Sequence, residues 1–141
     1  MSVSEVAIGL SWITATLQAD SQWLALSPGG VKRGALPVGT STPATIVAFQ
    51  SGPDVLTANA IRLMSNVLYQ IKGVGSSDQT QAVFDLAARI DDLFKRTQGS
   101  APGGIALSCY REAILQLDDN TAGIQYVHSG GLYRVKIQQT S

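Results

Sequence analysis

Residues 76–99 read SSDQTQAVFDLAARIDDLFKRTQG, and the reading of this stretch decides the fold. Val83, Leu86, Ala87, Ile90, Leu93 and Phe94 recur at the spacing that puts apolar side chains on one stripe of an α-helix. Gln81, Asp85, Arg89, Asp92 and Arg96 fall elsewhere on the wheel. Ser76 with Gln79 three residues later suits a capping box, in which side chain and backbone satisfy each other's orphan groups. Lys95 and Arg96 sit where the macrodipole favours cations, and Gly99 is placed to close the helix. A helix with one apolar stripe needs a surface to lie on, and the segments on both sides read as strands.

Upstream, Ile61 to Val74 places Leu63, Val67, Tyr69 and Ile71 on one parity and Met64, Asn66, Gln70 and Lys72 on the other, the pattern of a long strand. Ala44 to Gln50 is nearly continuous in apolar or β-branched residues, as expected of a strand covered on both faces. Between these two, residues 51–60 begin with Ser-Gly-Pro-Asp turn chemistry and predict a projecting loop. Pro37 to Pro43 is a polar connection whose prolines forbid helix, preceded by a short strand candidate at Val31 to Leu36. Val3 to Asp20 repeats the helical stripe, with Ser2 or Ser4 as cap. Ile8 and Trp12 lie off that stripe, which means either a wide buried face or a contact with another subunit. Trp23, Leu24 and Leu26 are expected to tuck under the sheet edge.

Downstream, residues 100–104 read as a flexible connection. Ile105, Leu107, Cys109, Ala113, Leu115 and Leu117 then define the inner parity of another strand, which Arg111 interrupts. Either a bulge there or an Arg paired at a subunit boundary accounts for the interruption. Asp118 to Thr121 is expected to turn. Alternation then runs from Gly123 to Ile137 around Ser129-Gly130-Gly131, a tight hairpin turn or a bulge in one long strand. The order predicts one α+β domain over 1–141, with two helices packed on one face of a mostly antiparallel sheet.

Ten Lys+Arg balance ten Asp+Glu, so no net field draws nucleic acid, and Arg62, Arg111, Arg134 and Lys136 are a weak basic line. The single cysteine excludes an internal disulfide and any multi-cysteine metal site, and no apolar run is long enough to span a membrane, so a soluble protein is expected. Gly73-x-Gly75 and the glycines of 99–104 lack the context of a phosphate loop. Asp91-Asp92 point about 100° apart on a helix, and Asp118-Asp119 are followed by no spaced oxygen ligands. His128 is the only imidazole and reads as structural, and Cys109 reads as a small buried hydrophobe. No catalytic residue, cofactor or metal is expected. Charged residues make up 14% of the chain and hydrophobic ones 45%, which points to a surface that partners cover.

Assembled in order, the pieces resemble the tail terminator and tail completion family of long-tailed bacteriophages. They are the N-terminal helix with Leu17 to Asp20, Val31-Lys32-Arg33, Leu36-Pro37, Thr42 to Val47, Val67 to Lys72, Ala87 to Leu93 and Tyr126 to Val135. The resemblance implies a tail-terminator-like fold and a virion protein of the neck, assembled in the host cytoplasm. It implies a homo-oligomeric, hexameric ring that caps the tail tube, ends its growth and joins it to the head–tail connector proteins. A connector or stopper of the same neck is the related reading, and a small soluble enzyme is the distant third. DNA would only pass through the lumen, and no membrane is involved. The interface residues expected on this reading are Pro37, Thr40, Pro43, Gly52, Pro53, Asp54, Asn59 and Arg111. They come from two connections that monomer packing leaves unexplained and from the interrupted strand.

Overall fold

The computed structural model describes residues 4–52, 54–56, 62–95, 97–121 and 123–140. Helices α1 (Glu5–Gln18) and α2 (Ser21–Leu26) open the chain, followed by β1 (Val31–Arg33), β2 (Ala44–Ser51), β3 (Asp54–Leu56) and β4 (Arg62–Ser76). Helix α3 (Thr80–Phe94) comes next, then β5 (Thr97–Ala101), β6 (Gly104–Thr121) and β7 (Ile124–Gln139). The strands form one sheet in the order β1-β2-β4-β7-β6-β5, with β3 also paired to β4. Every pairing is antiparallel except β1 with β2. This is the expected α+β architecture with three helices on one face where two were expected.

The capping box expected at Ser76 and Gln79 is present, but it opens a 3-10 turn over Ser77–Gln79 that leads into α3 at Thr80. The backbone N–H of Ser76 donates to Gln79 Oε1 at 3.0 Å, and Gln79 Nε2 donates to the Thr42 carbonyl at 3.0 Å, so the same glutamine also ties the helix start to the chain entering β2. Its stripe of Leu86, Ile90 and Phe94 is fully buried among Val67, Tyr69, Ile71, Tyr133, Val135 and Ile137 of the sheet and Ile13 and Leu17 of α1. Ile8 and Trp12 are buried as well, so α1 has the wide inner face. The end of α3 differs from expectation. The helix stops at Phe94, and Gly99 lies in β5 opposite Ala106, where a Cβ would come within 2.3 Å of Trp12 Nε1. Glycine is there for close approach and not as a cap.

Helix α2 was not foreseen. Asp20 supplies its start, accepting from the Trp23 N–H at 2.8 Å, and the short turn of helix drives Trp23 inward while leaving Leu24 exposed. The Trp23 indole N–H donates to Thr45 Oγ1 at 2.9 Å, which satisfies two buried polar groups on one contact. Strand β2 is covered on both faces only over Ala44 to Val47, beyond which it emerges into solvent. Residues 54–56, expected within a loop, form β3. Within the stretch 100–104, Ser100 and Ala101 end β5 and only Pro102-Gly103 form the tight hairpin turn to β6, with Ala101 paired to Gly104.

Two register shifts in β6 overturn its single inner parity. They lie between Ala106 and Ser108 and between Arg111 and Ala113, and each adds one residue that moves all later side chains to the opposite face. Ala106 and Cys109 therefore face the helices, whereas Leu115 and Leu117 pair with Gly130 and His128 on the face away from them. The second shift is the bulge expected at Arg111. Asp118 to Thr121 continue β6 and do not turn. Ser129-Gly130-Gly131 is neither a turn nor a bulge but the middle of β7, in unbroken register with β4. A Cβ on Gly130 would sit 2.2 Å from the Ile71 carbonyl oxygen, so this crossing of three long strands requires glycine.

Candidate functional site

Among the described residues no three His, Cys, Asp or Glu side chains come together as a metal site would need, and no helix is long and apolar enough to cross a membrane. Cys109 is buried, and burial pushes its thiol up to about 12, which keeps it protonated and unreactive. His128 stands on the face away from the helices. Its side chain is 12% exposed, and its Nε2 lies 3.9 Å from Asp119 Oδ2. Burial first, and the neighbouring Lys72 second, hold the imidazole below its ordinary value. Among the described residues His128 Nδ1 has no hydrogen-bond partner and Nε2 faces only Asp119, so no serine or cysteine is set against the ring, which burial holds neutral. Arg134 and Lys136 share this outer face, whereas Arg111 is on the helix face opposite Tyr133, so the basic residues form no common line.

Six of the eight expected interface residues fall in the described structure, and Pro53 and Asn59 lie outside it. Pro37 and Thr40 close a turn: the Thr40 hydroxyl donates to the Pro37 carbonyl at 2.7 Å, and Gly39 takes φ +84°. The residue this turn presents is Val38, which is fully exposed and which the sequence reading passed over. The Pro43 carbonyl accepts from the Gly29 N–H at 3.1 Å, so that end of the connection is moored to the body. Gly52 packs over Val67 where β2 gives way to β3, and Asp54 accepts from the Ser65 hydroxyl at 2.7 Å. Arg111 faces Asp91 of its own α3 at 3.6 Å, and Tyr133 donates to the same carboxylate at 3.1 Å. On the other side of the bulge, Glu112 takes Arg134 in a two-oxygen contact at 3.0 and 3.1 Å. Both residues at the bulge thus have partners within the chain.

A feature that the sequence reading missed joins these positions. Strand β5 pairs with β6 only as far as Cys109, so from Tyr110 to Thr121 no described strand lies along the outer side of β6. Ile114 is 71% exposed on one face of this edge, and Leu117 is 38% exposed on the other. At the far edge of the sheet stand β1 and the emergent end of β2, where Phe49 is 47% exposed beside Tyr69. Long strand edges with apolar flanks are templates for pairing with another chain. The two register shifts hide this edge from the sequence, whose single parity puts Leu115 and Leu117 in the core.

No family model matches the chain, and no curated protein does. Among solved structures the chain is similar to one in the virion of a native gene transfer agent (GTA) particle. The match has a TM-score of 0.67 at 15% identity and covers 97% of this chain and 99% of the other. The fold is therefore shared end to end.

Proposed function

We propose that the chain is a structural protein of a tailed, phage-like virion, acting in the neck as a ring that caps the tail tube, ends its growth and joins it to the head connector. The observation that carries this reading is the end-to-end likeness of fold to a chain of a gene transfer agent virion, with neither chain carrying a large insertion. Low charge supports it, as does a pair of sheet edges with exposed apolar residues, which fit a subunit that is covered on several sides. Removing the gene from the genome that carries it and imaging the particles tests the proposal. Overlong tails, or tails without heads, are expected. Tails of normal length joined to heads would overturn it, and free tails of normal length would favour a connector over a terminator.

A further inference from the structure

We infer that successive copies of the chain meet edge to edge, the acidic outer edge of β6 in one copy lying antiparallel to the basic strand β1 of the next. The inference rests on the ring reading above and names the surfaces that would close the ring.

The first argument is the state of the β6 edge. From Ala113 to Thr121 its register with β7 is regular, so the backbone groups on the outer side form an even row with no described strand to accept them. The sequence there is AILQLDDNT, without the lysine or proline that commonly blocks an edge. Its one charged feature is Asp118-Asp119, both exposed. Charges of one sign at the end of an apolar edge do not forbid pairing but select the partner.

The opposite edge supplies the complement. Strand β1 is Val31-Lys32-Arg33, the outermost strand on that side, and neither Lys32 nor Arg33 has an ion pair within the described chain. Strand direction agrees. β6 is antiparallel to β7, β7 to β4 and β4 to β2, and β1 is parallel to β2. β6 and β1 thus run in opposite senses within one copy. Rotating a second copy about an axis along the strands sets its β1 beside β6 as an antiparallel neighbour. Two different surfaces joined this way make a head-to-tail contact, the kind that closes into a ring. A two-fold pairing of β6 with β6 would offer the carboxylates only Arg111, which already faces Asp91 of its own chain at 3.6 Å.

Two double variants test this: Asp118→Lys with Asp119→Lys, and Lys32→Glu with Arg33→Glu, each checked by circular dichroism and melting. Asp118→Lys alone is a third variant that keeps the contact between Asp119 and His128. Zero-length carbodiimide coupling of the wild-type chain at high concentration and low salt is read by mass spectrometry. It should link Lys32 of one copy to Asp118 or Asp119 of another, even where the ring is only transient. Sedimentation or native mass should show each double variant associating about tenfold more weakly than the wild type, with Asp118→Lys losing part of that association. An equal mixture of the two double variants should regain assemblies, containing both chains. Absence of the Lys32 link in the wild type, unchanged assembly of either double variant, a β6-to-β6 dimer, or a mixture that fails to recover would each overturn the edge contact. These outcomes leave the neck role standing, because that role fails only if gene removal leaves joined tails of normal length.

Discussion

Asp20 serves two elements at once. Its carboxylate caps α2 through the Trp23 N–H at 2.8 Å and takes Arg89 of α3 at 2.6 and 2.9 Å, so one side chain fixes both the start of a short helix and its seat on a longer one. The hydrogen bond from Arg89 holds its carboxyl below the usual value. Asp20→Ala should cost about 1–2 kcal/mol from the cap alone, read by urea unfolding. The stability tied to this carboxylate is present above about pH 4 and is lost as pH falls through its lowered folded value. His128 carries the other pH dependence. The folded chain keeps the imidazole neutral below its ordinary 6.5, so the unfolded chain takes up the proton first as pH falls. The wild-type unfolding midpoint should drop between about pH 7 and pH 5.5, whereas that of His128→Gln should stay flatter over the same interval. Equal slopes for the two proteins would show that His128 does not govern this range.

At the level of elements, α3 and the sheet meet through Leu86, Ile90 and Phe94, all fully buried. Ile90→Asp would strand a carboxylate among them and should cost about 3–5 kcal/mol, enough to unfold a marginal domain, with thermal melting as the check. A melt like that of the wild type would mean a different helix face is inward. The α3 stripe and its capping box were legible because helical period and cap chemistry are local. So was most of the pairing parity of β4, whose even register with β7 leaves it undisturbed. The failures have one physical origin, which is non-local geometry. The parity of β6 depends on two bulges opposite β7, Gly130 on how closely Ile71 approaches, Gly131 on Arg111 and Ala113, and Gly99 on the indole of Trp12. A strand of 18 residues with two shifts in register has no single period to read. The site was less legible than the fold. Pro37 and Thr40 were picked out as turn residues, but the side chain they present is Val38, and the free edge of β6 follows only from where β5 stops.

For the whole molecule, the question is what a domain with a well-filled core gains by leaving so much apolar surface at its sheet edges. Phe49, Ile114, Leu117 and Ile124 are all exposed, and none lies in the cluster beneath the helices. Monomeric proteins expose single hydrophobes routinely, but rows of them beside unpaired strand edges invite association. The monomer's own stability rests on burial elsewhere, so an edge side chain should be replaceable without loss. Ile114 separates the two roles best, being 71% exposed and opposite Gly131, which offers it no side chain. Ile114→Lys should leave the unfolding free energy within about 0.5 kcal/mol of the wild type while placing a cation on the outer side of β6. If the edge is an assembly surface, that variant should stay monomeric under conditions in which the wild-type chain associates, read by sedimentation or native mass. A stability loss larger than about 1 kcal/mol would instead assign Ile114 to the monomer's packing. Assemblies identical to the wild type would mean that this edge faces solvent in the particle and that the apolar residues beside β1 and β2 carry the association.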